Sequence, residues 1–257
     1  LRAGRGGVLA VVLGAWCLVK IERWVRKWMP ESLDIVFTPL ITMILCLVPY
    51  ILLIMPATGY ISTALCWVVE KLCMSESLIV RIVAGYVSTA LFLPMVAMGM
   101  HHGLVALYSV QLETFGYVTL YPALAMAGAG QVGAAIAIYL KAKKCGNIRL
   151  KNVITGALPA GLLGIGEPLI YGVTLPMGKP FISAGLGAGF GGAFVMAMQV
   201  AATAWGPSGL LALFVMTAGP HGVAASVGCY AVGLVICYIM GFIVTNAMVS
   251  VEDVANA

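Results

Sequence analysis

The sequence predicts an all-α fold, a polytopic transmembrane helical bundle interrupted by re-entrant or broken hairpins. Of its 257 residues, 62% are hydrophobic and only 9% charged, and the mean hydropathy is +1.06, well outside the range of soluble domains. Apolar stretches recur at residues 8–19, 35–57, 78–100, 118–140, 153–177, 181–205 and 223–247, and several are long enough to cross ~30 Å of hydrocarbon as helices. Runs such as "VFTPLITMILCLVPYILLIM" do not alternate, which argues against a transmembrane β-barrel.

The first stretch leads into "KIERWVRKW" at residues 20–28, flanked by Trp16, Trp24 and Trp28. Cations interleaved with tryptophans predict a helix lying at the membrane interface until Pro30. A second cationic group, "KAKKCGNIRLK" at residues 141–151, joins the first in marking the cytoplasmic side. The net charge of +5 is therefore a topology signal, and no nucleic-acid partner is expected. Residues 35–57 predict a span kinked at Pro39, Pro49 and Pro56. Glu70, Lys71 and Glu76 make residues 58–77 an amphipathic connector.

From residue 78 the pattern changes. Pro94, Gly99 and Gly103 surround His101 and His102, which predicts a helix that breaks or turns back. The span at 118–140 is rich in small residues, which allow helices to pack closely in lipid. Between residues 153 and 180 stand Gly156, Pro159, Gly161, Gly164, Gly166, Pro168, Gly172, Pro176, Gly178 and Pro180, so no uninterrupted helix survives. Non-helical backbone at membrane depth persists only where protein buries it or water reaches it. Residues 153–180 therefore read as a re-entrant hairpin lining a cavity, the kind of segment that carries transporter substrate sites. The stretches 181–205, 208–218 and 223–247 close the bundle.

Most of the nine acids fall in loops, connectors or the tail; Glu113 and Glu167 do not. A carboxylate in the bilayer is costly unless paired or wetted, so Glu167, inside "GIGEPLIYGV", is the leading binding candidate. The alternative is a structural acid that ties down its own hairpin. Glu113 lies where the chain is already close to the membrane surface. His101 and His102 sit beside glycines that let the backbone turn an imidazole toward a cavity; adjacent helical residues point ~100° apart, so only one of them faces a given site. His221 reads as a turn residue. Gln131 and Tyr117 either hydrogen-bond a polyol or serve interhelical packing. The seven cysteines show no metal-ligand or CxxC spacing, so neither a metal nor a disulfide is expected. Carboxylate, imidazole and amide groups without intramembrane cations suit a neutral or weakly charged hydroxylated solute.

These residues carry a family resemblance. "GIGEPLIYGVTLPMGKPF" resembles the "GITEPxIYGVxLPxxxPF" signature of the membrane-embedded enzyme IIC of the sugar phosphotransferase system, in its glucose and β-glucoside superfamily. "MGMHHGL" is similar to that family's "GLHW" or "GLHH" stretch, and "GYVTLYPALAMAGAGQVGAA", the opening "GRGGV" and the basic "LKAKK" loop fit in order. The resemblance covers essentially the whole chain. It implies a bacterial inner-membrane sugar permease, usually a homodimer, that works with a IIB domain carrying a phosphocysteine and a IIA protein or domain. It also implies that Glu167 and His101 contact the sugar, with His102 as second choice.

Gly166 departs from the signature's threonine, and with "LIYGVTLP" after it resembles members that take N-acetylmuramic acid; β-glucoside, sucrose and trehalose members share most of the same motifs. The resemblance further implies that residues 1–75 are the remainder of a scaffold bearing the dimer interface and 76–257 the transport part. The opening "LRAGRGG" has neither an initiator Met nor a signal-peptide plan, and no Cys-Thr-Arg-Leu of a IIB domain occurs. The expectation is a fragment lacking IIB and the first membrane segments, with no catalytic residue in the chain beyond hydroxyl orientation by His101 and Glu167, and no cofactor. An ion-coupled transporter and a non-transporting receptor or scaffold are the readings from other classes.

Overall fold

The second helix of the chain shows how these helices are built. In α2, Glu31–Pro49, the buried positions are Thr38, Thr42 and Cys46, while Ile35, Leu40 and Ile44 are exposed. Small and hydroxylated side chains face protein and large apolar ones face outward, the arrangement expected where lipid surrounds the bundle. The computed structural model describes residues 7–257, so "GRGGV" falls mostly outside the described residues.

Among these, five helices are long and apolar enough to cross a membrane: Glu31–Cys73, Leu78–Ala97, Tyr121–Cys145, Lys179–Ala197 and Val223–Met248. The chain divides into two compact units. The first holds residues up to Val68 with His102–Val110, and the second holds Val69–His101 with Gln111–Ala257.

In the first unit, α1 (Gly7–Val25) carries the first part of the basic, tryptophan-bearing segment, whose last residues, Arg26, Lys27 and Trp28, form a turn. Trp16, Trp24 and Trp28 are all exposed, Lys20 lies 5.7 Å from the Trp16 ring, and Arg26 pairs with Glu22 and Asp34. The connector expected at residues 58–77 does not form. Instead α2 continues through a π-helical turn, Tyr50–Ile54, into α3, Met55–Cys73. The cause is local. Pro56 has no N–H to give the carbonyl one turn back, and the Met55 N–H reaches Tyr50 O instead, widening the helix rather than ending it.

The second unit is centred on α6 (Tyr121–Cys145) and α10 (Lys179–Ala197). Their apolar windows are 78% and 72% buried, against 17% and 28% for α4 (Leu78–Ala97) and α11 (Val223–Met248), so α4 and α11 carry the outward faces. These helices approach almost backbone to backbone. A Cβ on Gly241 would lie 2.5 Å from Gly130 O, one on Gly187 would lie 2.5 Å from Gly241 Cα, and one on Gly85 would lie 2.5 Å from Gly192 O. Hydroxyls stitch the same seams: Thr89 Oγ1 donates to Ala123 O (2.9 Å) and Ser183 shares a hydrogen bond with Thr245 (2.7 Å).

The expected break around the histidines occurs at residues 98–101, between α4 and α5 (His102–Phe115), with Gly99 at φ 73°; Gly103 is already inside α5. The basic stretch 141–151 is mostly helix, since α6 ends at Cys145 and α7 (Ile148–Leu163) begins two residues after Gly146. The broken segment then runs as α8 (Glu167–Leu169), a π-helical turn (Ile170–Thr174) and α9 (Leu175–Met177) before α10. A short 3₁₀ helix, Gly209–Val215, is all the regular structure in 208–218. At the C-terminus α12 (Val251–Ala255) is capped by Ser250. Asp253 bonds Lys179 at 2.7 Å, and that bond, with those from Ser250, draws the Asp253 carboxyl down to about 2.

The helix seams give a paired test. Gly241→Val forces backbone apart at α6, and overpacking of this kind costs about 1–3 kcal/mol. Gly156 has nothing within 4 Å of an added Cβ, so Gly156→Ala is expected to be neutral or to stabilise by about 0.5–1 kcal/mol. Unfolding temperatures of the purified protein in detergent should fall for the first variant and not for the second.

Candidate functional site

The site is built where α7 stops. Gly164 closes that helix at φ 106°, its N–H bonded to Ala160 O at 3.1 Å and the Ile165 N–H to the same carbonyl at 2.9 Å. A side chain at Gly164 would run into the Ser208 backbone, so this position needs glycine for both conformation and space. Three residues on, Glu167 and Pro168 start α8; Pro168, in the first turn, gives up no helical hydrogen bond by lacking an N–H. Glu167 is exposed.

The chain beyond Glu167 is gripped on two sides. Leu169 and Val173 join Val132, Ile154 and Ala157 in one apolar cluster. Ile170 joins Leu93, Ala127, Ala134, Phe181 and Ala184 in another. Between them Thr174 is fully buried and donates to Gln131 Oε1 at 2.6 Å. The backbone here is a second π-helical turn, with the Leu175 N–H reaching Ile170 O. Pro176 follows that turn at the spacing at which Pro56 follows the first, and for the same reason.

His101 is half-buried in the turn after α4, and its ring lies 6.2 Å from Phe92 in an edge-on arrangement. Phe92 packs against the cluster that holds Ile170. Ile170, three residues after Glu167, and Phe92, beside His101, thus meet at one apolar cluster. His102 is exposed at the start of α5 and is counted with the first unit. Gly166 has a helical φ of −81°, and a Cβ there would meet only Ile170 Cδ1 at 3.7 Å. The glycine is required by neither conformation nor packing, and it leaves space beside Glu167. Gln131 is completely buried with one hydrogen bond, and its Nε2 has no protein partner. Glu113 and His221 are exposed.

Sequence reasoning missed Glu70, whose neighbours Lys71 and Glu76 make it look like a connector residue. Its carboxylate accepts hydrogen bonds from Tyr117 OH (3.2 Å) and Thr119 Oγ1 (3.1 Å), and the Gln111 amide donates to Thr119 at 2.9 Å. Burial first, and then the Glu70 charge, push the Tyr117 phenol above its ordinary value. Glu70 and Tyr117 line a recess of about 490 Å³ together with Gln199 and Gly219. No spacing in the sequence links positions 70 and 117; the fold alone brings them together.

Residues 3–188 match the profile of the family described as phosphotransferase system, EIIC. The chain belongs to this family. EIIC proteins reside in the bacterial inner membrane, and the apolar helices of this chain fit that placement. As an EIIC member it is a component of the phosphotransferase system.

It is 40% identical over 257 residues to the PTS system MurNAc-GlcNAc-specific EIIBC component of Staphylococcus epidermidis, covering 100% of this chain and 52% of that protein. It is 44% identical over 250 residues to the PTS system N-acetylmuramic acid-specific EIIBC component of Pasteurella multocida, covering 94% of this chain and 50% of that one. A protein of the same description from Photorhabdus laumondii is 44% identical over 246 residues, 93% of this chain and 47% of its own. The chain thus spans about half the length of the curated relatives it matches. No solved structure matches it.

The buried pair Thr174–Gln131 makes a sign-specific prediction. Thr174→Val strands the Gln131 amide and should destabilise by about 1–3 kcal/mol, whereas replacing both partners by apolar groups is nearly neutral. Denaturant unfolding should therefore rank Thr174→Val below the double variant Thr174→Val/Gln131→Met.

Proposed function

We propose that this chain is the membrane part of a phosphotransferase permease that carries N-acetylmuramic acid, or a closely related amino sugar, inward while a phosphocysteine on a IIB domain phosphorylates it. The observation that carries the reading is Glu167, an exposed carboxylate at the start of a broken helix clamped on both flanks. Names of the relatives supply the sugar class: two describe specificity for N-acetylmuramic acid, and one adds GlcNAc.

In this reading Glu167 accepts hydrogen bonds from sugar hydroxyls and His101 orients the hydroxyl that receives phosphate. His102 is the alternative to His101. Gln131 acts through Thr174, fixing the turn that carries Glu167. Phosphoryl transfer depends chiefly on positioning and charge stabilisation, so the membrane part can speed the reaction without supplying a nucleophile. The phosphocysteine belongs to IIB and its phosphate comes from a IIA protein or domain. Residues 1–75 serve as scaffold, with the interface of a homodimer, and residues 76–257 move the sugar by alternating access.

Gly166 supports the choice of sugar. N-acetylmuramic acid carries an acetamido group and a lactyl ether that glucose lacks, and a threonine in place of Gly166 would occupy the space beside Glu167.

Binding of radiolabelled N-acetylmuramic acid to the purified protein, and its phosphorylation in membranes supplied with phosphorylated IIB, test both residues. Glu167→Gln is expected to lose at least about tenfold in affinity, the scale of one hydrogen bond to a charged group, and to lose phosphorylation with it. Wild-type behaviour in both assays would refute the assignment. Gly166→Thr should keep the fold, weaken N-acetylmuramic acid by about tenfold and leave N-acetylglucosamine less affected.

A further inference from the structure

Beyond Glu167 and His101, the geometry points to the turn at residues 204–208 as the opposite wall of the sugar site, with Trp205 as the surface on which the apolar face of the sugar ring stacks. This rests on the reading of Glu167 as a sugar ligand.

The two irregular segments of the second unit meet next to the acid. Ser208 Oγ donates to Gly164 O at 3.1 Å, three residues before Glu167. A Cβ on Gly209, itself at φ 61°, would lie 2.8 Å from Gly164 Cα, so the two turns touch along their backbones. The second turn is bolted in place from α6: Tyr121 OH donates to Pro207 O at 2.8 Å, and Gly128 approaches so closely that a Cβ there would lie 2.7 Å from Ser208 Oγ. Its root is held too, by paired hydrogen bonds between Val118 and Ala202 (2.8 and 2.9 Å) and between Ala201 and Ala218 (3.0 and 3.1 Å).

On either side of this contact the space is open. A Cβ on Gly206 would meet nothing within 4 Å, and one on Gly166 only Ile170 Cδ1. Residues 205–208 have no regular structure, and irregular backbone in a membrane protein lines protein or water, not lipid. Trp205 stands in this run, half-buried, one residue from open Gly206 and three from the serine bonded to Gly164.

An indole at that position supplies what Glu167 and His101 do not. Pyranose rings present C–H bonds on one face and hydroxyls around the rim. Polar groups grip the rim, and an aromatic face offers a large, rigid apolar surface with an N–H at its edge. Placed opposite Glu167, it fixes the plane of the ring and so the direction in which each hydroxyl points.

The chain carries its own reporter. Of its five tryptophans, Trp16, Trp24, Trp28 and Trp67 precede residue 69, and Trp205 is the fifth. On the purified protein, N-acetylmuramic acid should change tryptophan emission, and Trp205→Phe should abolish the change while radiolabelled sugar still binds within a few-fold. Trp205→Ala should weaken binding by about tenfold. A sugar-induced change that persists in Trp205→Phe, or wild-type affinity in Trp205→Ala, would overturn the inference.

Accessibility gives a test that does not depend on the sugar's identity. The emission lost between wild type and Trp205→Phe should be quenchable by acrylamide in unliganded protein, and an unquenchable Trp205 also overturns the inference. Failure of the wild type to bind N-acetylmuramic acid, with Trp205 quenchable, would count instead against the proposed substrate.

Discussion

A peptide group at the depth of the hydrocarbon must find a hydrogen-bond partner within the protein or in water that the protein admits. The second unit is organised around that constraint. Its breakers stop α7 at Gly164 and restart the chain at Glu167, and the freed groups find partners, some local and one distant: Gly164 and Ile165 N–H to Ala160 O, Leu169 and Ile170 N–H to Gly166 O, and, from 44 residues on, Ser208 Oγ to Gly164 O. These bonds hold only because α6 and α10 stand close enough to clamp the segment, and they stand close because Gly130, Gly187 and Gly241 leave nothing between the backbones. Breakers open the site and small residues hold it open. Neither set accounts for it alone.

The two π-helical turns separate local from tertiary causes. Tyr50–Ile54 precedes Pro56, and Ile170–Thr174 precedes Pro176, at one spacing and with the same rerouted hydrogen bond. The first turn buries none of its residues, whereas the second buries Ile170, Val173 and Thr174. Proline chemistry sets the shape of both. The second differs in its surroundings: two apolar clusters and the Gln131 amide fix one face, and the residue ahead of them, Glu167, is exposed.

This division explains what was legible in the sequence. Hydropathy and breaker density read the membrane class, the interruption at the histidine pair and the broken segment, because each depends on residues close in the chain. They failed at residues 58–77, where Glu70, Lys71 and Glu76 mimic a connector although the helix runs on to Cys73; a proline two residues after a widened turn does not end a helix, and hydropathy cannot see that. Glu167 stood out because an acid between Gly166 and Pro168 is anomalous on its own. Thr174, Ser208 and Glu70 did not, since their partners Gln131, Gly164 and Tyr117 lie more than 40 positions away in the chain. A threonine in an apolar run carries no mark of the amide it will meet.

A carboxylate at the site also constrains how the proposed sugar lies in it. N-acetylmuramic acid bears a carboxylate on its lactyl ether, and two like charges 4 Å apart repel by about 4 kcal/mol at the screening typical of a protein surface. With the proposed sugar bound, the lactyl arm would therefore point away from Glu167, which would leave the hydroxyl rim of the ring as the edge the acid can accept from. A ring held at its rim by Glu167 and at its face by Trp205, as proposed, would be restricted in orientation, and the substituents that set it apart from glucose would need open volume nearby. That volume exists beside Gly166 because no side chain fills it, although the backbone there would accept one. In the proposed role the acid would hold what sugars of this kind share, and the missing side chain at Gly166 would admit what distinguishes them.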